Sequence, residues 1–436
     1  MKIFSVLWFS QLISIIGSGL TSFALGVWVY QQTGSATQFA LITFFLILPG
    51  VLLSPLAGAL ADRWSRKTLM ILGDSGSALS TLIVALLVAS DRLEVWHIYL
   101  ATALSSACGA FQWPAFAASI PMLVPKEQLG RANGMVQVAE AAGLVVSPLL
   151  AGVLVVTIGL RGVILIDIAT FLVAVIAVLF LRIPQPAATT APREAGGSLT
   201  RDIADSWSYI RGRSGLLALF ALFASFNFIV GMAGILIQPL ILSFTTPAVL
   251  GTLVSIGGSG LLLGGVVMGI WGGPKHRVPG ILLFMLIGGV LLLLHGLAPS
   301  SILIGFVAPT FLFTWPIING SSYSILQTKV AADMQGRVFA LSHMITQSSR
   351  PLAALIAGPL ADGVFEPLLM PGGSLAGSVG RTIGTGPGRG IALLFMVLGV
   401  LQLVTAIAGY LHPHLRNLET EMPDIVAEPA SELGVA

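Results

Sequence analysis

Long apolar runs, separated only by short charged or Gly/Pro-bearing reversals, dominate this 436-residue chain. Each is about 20 residues or more, the length an α-helix needs to cross a hydrocarbon layer. Twelve can be counted, near residues 4–30, 36–60, 68–89, 97–123, 133–156, 160–181, 216–244, 247–271, 279–298, 301–326, 338–365 and 390–411. In hydrocarbon every backbone N–H and C=O must find its partner within the protein, and in a run of this length the helix supplies those partners locally. Only 9% of the residues are charged, whereas a soluble domain carries about 25%, and mean hydropathy is +0.95. The predicted fold class is therefore an all-α polytopic membrane protein with 12 transmembrane helices.

The charges that remain are unevenly divided. One set of alternate connections holds most of the Lys and Arg, including Lys2, Arg63, Arg66, Lys67, Lys126, Arg131, Arg182, Lys275, Lys329 and Arg337. The other set holds only Arg92, Arg161, Arg381 and Arg389. Cytoplasmic loops carry the excess of Lys and Arg, so both termini are expected in the cytoplasm of a multi-pass cell (inner) membrane protein. The first run, Phe4 to Tyr30, exceeds the roughly 7–15 apolar residues of a signal peptide and reads as the first span. The single cysteine, Cys108, excludes an internal disulfide framework and a cysteine-based zinc cluster. Net charge is +3 with the basic residues scattered, so no nucleic-acid surface is expected. Neither a nucleophile–base pair nor a metal-ligand cluster stands out, and the reading is a non-enzyme without cofactor or metal.

The two halves of the chain repeat one another. Trp113-Pro114 recurs as Trp315-Pro316, Gly130-Arg131 as Gly336-Arg337, and Ala151-Gly152 as Ala357-Gly358. This order implies a parallel duplication of six spans. The division expected is a six-helix bundle over 1–182, a cytoplasmic linker over 183–215, a second bundle over 216–411 and a disordered tail over 412–436. Within the linker, Pro184 to Gly197 reads as flexible, and Leu199, Ile203, Trp207 and Ile210 fall at the spacing of an interfacial amphipathic helix. The Gly-rich outer segment from Met370 to Gly390 is expected to be a mobile loop; it lacks the Lys-Ser/Thr and the preceding strand of a phosphate cradle.

The most charged reversal is Gly58-Ala-Leu-Ala-Asp62-Arg63-Trp-Ser65-Arg66-Lys67-Thr-Leu69, between the second and third runs. It resembles the signature loop of the major facilitator superfamily, with Ser65 where that family usually has Gly. The resemblance implies that Asp62 faces the amino end of the eleventh helix and that the basic residues hold the cytoplasmic sides of the halves together. A carboxylate at a helix N-terminus gains about 0.3–1 kcal/mol, and this contact can exist only while that side is closed. The departure at Ser65 is expected to stiffen the turn, since Ser visits positive φ less readily than Gly.

In the fifth run, Gly143, Ser147 and Ala151 recur at i, i+4 and i+8, a small-residue face on which another helix can pack closely. Pro148 removes one helical hydrogen bond. With Gly152 the stretch resembles the fifth-helix motif of facilitator antiporters, which implies export; interhelical packing alone is the other reading. Polar residues at helical period mark the first and fourth helix of each six-helix half, the helices that line the central cavity in the family resembled. The cavity candidates are Gln11, Ser18, Gln112, Asn227, Gln238, Asn319 and Tyr323, joined by Gln347 and Arg350 of the eleventh run. Ordinary interhelical hydrogen bonding is an equal alternative for any one of them. Charges within spans mark function by default. Glu140, about two turns inside the fifth helix, is the proton-coupling candidate, with Asp74 and Asp167 read as structural. No Arg occurs in 97–123, where other antiporters of the family carry one.

Residues Gly17-Ser-Gly19, Trp28-Val-Tyr30 and Thr33-Gly-Ser35, with Arg350-Pro-Leu and Ala357-Gly-Pro-Leu-Ala-Asp362, are similar to the bacterial macrolide-efflux and enterobactin-exporter branch. That resemblance implies secondary active efflux of an amphiphilic small molecule (drug, macrolide, siderophore or peptide natural product) by proton antiport, with protons and the lipid bilayer as partners. A same-fold importer or lipid flippase, and a membrane receptor or scaffold that moves nothing, remain as alternatives.

Overall fold

A computed structural model describes residues 2–181, 208–330 and 332–422. Twelve long helices follow one another: α1 (Lys2–Thr33), α2 (Ala36–Arg63), α3 (Arg66–Ala89), α4 (Val95–Leu123), α5 (Leu129–Thr157) and α6 (Gly159–Phe180). The second six are α7 (Ser214–Leu242), α8 (Pro247–Trp271), α9 (Arg277–Leu297), α10 (Ser301–Lys329), α11 (Ala332–Leu360) and α12 (Arg389–Leu411). Each coincides with one of the predicted apolar runs. Among the described residues eleven stretches are apolar enough by composition to cross a membrane. The helix outside that set is α4, 29 residues long, whose Ser105, Ser106, Gln112 and Ser119 lower its hydropathy.

Helix ends follow from local chemistry. Ser65 caps α3, its side chain accepting the Thr68 N–H, and Thr246 and Ser300 do the same for α8 and α10. Ser65 sits at φ −58°, so the turn does not need the positive φ that would have favoured Gly, and the expected stiffening is replaced by a cap. Gly272 closes α8 in the left-handed conformation at φ 77°.

Packing separates the helices by half. Helix α1 packs on α5 and α6, α4 on α2 and α3, and α3 on α6. In the second half α9 packs on α10 and α12, α8 on α10, and α7 on α11 and α12. The second-half core is the larger, built on Phe226, Met285, Phe395 and the smaller apolar residues around them. The most extensive pairings across the halves are α5 with α8 and α2 with α11, with smaller ones of α1 and α2 on α7. The start of α1 and the 64–65 reversal lie on one face, here the terminal face; the reversals at 34–35 and 243–246 lie on the opposite, distal face.

Two expectations are corrected. Residues 413–421 do not begin a disordered tail: Pro413–Arg416 and Leu418–Glu421 are helical turns with Leu415 and Leu418 buried. Glu419 accepts from the N–H groups of Arg277 and Val278 (2.9 and 3.2 Å) at the start of α9, and Lys329 Nζ donates to the Glu419 carbonyl at 2.7 Å. The outer segment after α11 is likewise built rather than loose. Glu366 accepts from the N–H groups of Gly388 (2.7 Å) and Gly390 (3.3 Å), and Arg389 donates to the Ile383 carbonyl at 3.2 Å. Of the linker helix, Leu199, Ile203 and Trp207 lie outside the described residues, while Ile210 is buried in the second-half core.

Candidate functional site

The seam between the halves is tightest toward the distal face. Gly152 of α5 lies so close to α8 that an added Cβ would stand 2.7 Å from the Pro247 carbonyl oxygen and 3.1 Å from the Gly251 Cα. Gly251 in turn presses against the Pro148 carbonyl. Pro148 cannot donate to the Leu144 carbonyl one turn back, and α8 comes in where the α5 backbone is opened: Ser255 Oγ donates to the Val145 carbonyl at 2.6 Å. The small-residue face of the same helix serves α1 instead. Ser147 Oγ donates to the Ile16 carbonyl at 3.2 Å, and Gly143 abuts Ile15. Gly143, Ser147, Pro148, Ala151 and Gly152 are thus a two-sided packing strip, one side on α1 and the other on the opposite half.

The α2–α11 seam repeats this arrangement through Gly358, the counterpart of Gly152, which packs against the backbone of Ala36 and Thr37. Here a carboxylate is added. Asp362 accepts from Ser35 Oγ (2.6 Å), the Ala36 N–H (3.0 Å) and the Thr37 N–H (2.8 Å). These donors form the open N-terminal turn of α2, so one half's acid caps the other half's helix. Sequence reasoning quoted Asp362 only as part of a resemblance and gave it no role. The available signal was an acid at one helix end together with Ser35 before the start of α2, but nothing in the sequence says that the two ends meet.

At the terminal face, Gly58, Asp62 and Arg63 occupy the last turns of α2, and their side chains lie outside the described residues. Arg66 donates to the Ala118 carbonyl of α4 at 2.5 Å, and Lys67 Nζ to the carbonyls of Leu179 (2.7 Å) and Leu181 (3.0 Å) at the end of α6. Both cations satisfy carbonyls near the C-terminal ends of helices within their own half, where the helix dipole favours positive charge. In this arrangement, closed at the distal face, these contacts of Arg66 and Lys67 stay within their own half.

The interior candidates divide. Gln11 and Gln112 are joined in a buried chain with Asp74: Gln11 Nε2 donates to Asp74 at 3.2 Å and Gln112 Nε2 to Gln11 Oε1 at 2.9 Å. Ser18 lines a small hollow beside Asp167. Asn227 and Asn319 each donate one N–H to the carbonyl four residues earlier in their own helix (2.8 and 2.9 Å), which leaves the side-chain oxygen and the second N–H of each. Tyr323 is exposed and stacks on Phe339 at 6.0 Å, and Gln238 is half-buried. The Gln347 side chain lies outside the described residues. Arg350 is exposed on α11 and among the described residues makes no hydrogen bond or ion pair. Glu140 is exposed too, one helical turn before Leu144 on the side of α5 that meets α8. The deeply buried carboxyls are Asp74 and Asp167, 4% and 1% exposed. The sequence ranked these acids by distance from the helix end, whereas burial depends on which neighbours a helix face meets.

Among the described residues no group of His, Cys, Asp or Glu is arranged to hold a metal ion. Comparison with known proteins fits this architecture. The chain is 27% identical over 365 residues to macrolide efflux protein A of Streptococcus pyogenes, covering 83% of this chain and 90% of that protein. It is 24% identical over 365 residues to the multidrug efflux pump Tap of Mycobacterium tuberculosis, covering 81% and 86%. A bacterial homologue of the human lysosomal transporter Spinster, solved in an inward-facing and unoccupied conformation, superposes with TM-score 0.72 at 15% identity over 98% of both chains. A bacterial homologue of ferroportin, also inward-facing, gives 0.67 at 14% identity over 93% of this chain and 98% of that one. The Major Facilitator Superfamily profile matches residues 7–354, and with twelve helices in the matching order the chain belongs to that superfamily of membrane transporters.

Proposed function

We propose that this protein is a secondary active exporter of amphiphilic small molecules, with macrolide-like drugs as the first class to test and siderophores or peptide natural products as the next. The observation that carries the reading is the seam closed at one face by Gly152, Gly251, Gly358 and Asp362, in a fold shared with transporters, on a chain whose extended relatives are efflux pumps. Proton exchange supplies the energy in this reading. Both termini lie in the cytoplasm of the cell membrane, as the Lys/Arg asymmetry requires. The distal seam is then extracytoplasmic, and the protein stands closed outward, ready to load from the inner side. Residues 1–182 and 216–411 act as two rocking bundles joined by 183–215. The Asp62 reversal, with Gly58, Arg63, Arg66 and Lys67, latches the inner side in the opposite state. Gln238, Tyr323, Gln347 and Arg350 face the ligand, and Glu140 closes against α8 as the halves rock.

Growth inhibition by macrolides and other amphiphilic antibiotics, in a strain stripped of its own pumps, tests the proposal. Expression should raise the inhibitory concentration of at least one compound, a protonophore should abolish the protection, and Asp62→Asn should lose it while still inserting. Uptake rather than extrusion in right-side-out vesicles would make the protein an importer. An absence of flux for every compound in either direction would leave a receptor or scaffold.

A further inference from the structure

Helix α6 carries Asp167 into the interior of the first half, where it is 1% exposed. Beside it lies a hollow of about 60 Å³ lined by Ser18 and Thr21 of α1, Ser80 and Thr81 of α3, and Thr102 and Ser105 of α4. A water needs roughly 10–15 Å³ of such volume, so the hollow has room for a small ion with part of its hydration shell. Thr81 Oγ1 donates to one carboxylate oxygen at 3.4 Å and Thr170 Oγ1 approaches the other at 3.5 Å. Thr21 Oγ1, in a residue only 7% exposed, is buried and faces the Asp167 carboxylate without completing a hydrogen bond of normal length. Buried hydroxyls are nearly always paired, so one left incompletely bonded beside a carboxylate, at a hollow whose polar wall is Ser and Thr, points to a ligand shared between them.

The charge balance points the same way. A carboxylate held in the interior of a membrane protein is costly unless something positive meets it. On α6 itself the other charged side chain is Arg161, held at the distal face by Asp91 at 2.6 Å. Helix α1 has Lys2 and Tyr30 at its two ends, and α3 contributes Asp74, seven residues from Thr81, with Arg66 and Lys67 at its start. Helix α5 contributes Arg131 in its first turn and Glu140, and α4 has only His97, Tyr99 and Cys108. None of these lines the hollow. The polar groups around the hollow are carboxylate and hydroxyl oxygens, set among apolar walls that include Leu46 and Phe171; a hard donor set without sulfur or imidazole suits a proton or an alkali cation rather than a transition metal.

We propose that Asp167, with Thr21 and Thr81, forms an exchange site for one monovalent cation, held as a proton on the carboxylate or as a sodium ion beside it. That this charge drives transport rests on the exporter reading; that it binds does not.

Binding is therefore tested first, by thermal unfolding of the full chain in detergent. In one arm sodium chloride replaces choline chloride at fixed pH; in the other, pH is stepped without sodium. A saturable rise of the wild-type midpoint with sodium identifies the ion, and a rise on acidification alone identifies the proton. In either case Asp167→Asn should lose the response while Asp74→Asn and Glu140→Gln keep it. Thr21→Val should raise the half-saturating cation concentration roughly tenfold, the worth of about one hydrogen bond. If Asp167→Asn responds as the wild type does in both arms, the site is refuted. Should that variant fail to fold, an unchanged half-saturation in Thr21→Val refutes it instead. In proteoliposomes with erythromycin as probe, Asp167→Asn should lose uphill efflux and keep downhill equilibration. A wild type that responds to the cation but moves no probe would sink the exporter reading and leave the site standing.

Discussion

Replacing Asp362 by Ala should open the distal face. The carboxylate accepts three hydrogen bonds from the first turn of α2, at 2.6, 3.0 and 2.8 Å, and all three cross between the halves. When the halves part, water takes over the donors, so the latch is worth the value of a helix cap rather than of three isolated bonds. Loss of an N-cap side chain costs about 0.5–2 kcal/mol and the charge–dipole attraction adds about 0.3–1 kcal/mol, or roughly 2 kcal/mol together. That is a bias of roughly 30-fold toward the closed arrangement, given tenfold per 1.4 kcal/mol. Spin labels at Gln32 of α1 and Val364 after α11, both exposed, span this seam and can be introduced in a Cys108→Ser background. The wild type should show mainly the short separation, and Asp362→Ala should gain a longer one at the expense of the short. Ser35→Ala, which removes one donor of the three, should move the populations less and in the same direction. Distance distributions that coincide in wild type and Asp362→Ala would refute the reasoning, because the contact would then contribute equally to both arrangements.

Gly251→Leu should prevent the halves from closing distally, since any side chain there meets the Pro148 carbonyl; labelling of distal-face cysteines should rise and transport should fall without loss of inserted protein. Lys67→Met removes two carbonyl contacts at the end of α6 and should lower thermal stability by about 1 kcal/mol, because each exposed charged bond is worth little. Deleting residues after Leu411 should also destabilise, by at least about 3 kcal/mol, through loss of the buried Leu415 and Leu418 at about 1.5–3 kcal/mol each, together with the Glu419 cap on α9 and the Lys329 contacts; differential scanning of the two proteins reads the difference. Glu140→Gln should leave pH-driven efflux intact if Asp167 carries the coupling charge, and a collapse of efflux would return the role to Glu140.

The helices were legible because each apolar run has the length and the charged ends that a membrane dictates, and helix formation in lipid is a local matter. The repeat was legible as well, and with it the pairing of Gly152 and Gly358. What the sequence hid is contact between distant residues. Gln11 and Gln112 were visible as polar residues at helical period, yet the same period serves a ligand-facing stripe and a buried chain to Asp74 equally well. Glu140 stood out for its depth along α5, but exposure depends on whether α8 covers that level, and the two helices meet nearer the other end. The acidic tail looked too polar to fold, although Glu419 and Lys329 use its charge and carbonyls as caps. Polar residues that complete helix ends are read as loop by composition and as structure by geometry.

The two seams differ in a way that the duplication does not require. Both place a glycine of the fifth or eleventh helix against the first turn of the second or eighth, but they treat that turn differently. Helix α8 begins with Thr246, which caps its own N-terminus by accepting from Val249 at 3.5 Å, so its end is provided for whether or not the halves touch. Helix α2 has its own cap too, Ser35 Oγ accepting the Gln38 N–H at 3.2 Å, but its Ala36 and Thr37 N–H groups take Asp362 of the other half as acceptor, and those two bonds exist only in the closed state. One seam therefore contributes shape and the other contributes a state-dependent bond. If the Asp62 reversal acts on the α11 N-terminus as the family resemblance implies, then α2 and α11 hold one another by a carboxylate at either end, each contact made in the state that breaks the other. A transporter wired this way should have its equilibrium set chiefly along α2–α11, and substitutions at the α5–α8 seam should change whether closure fits rather than which side closes.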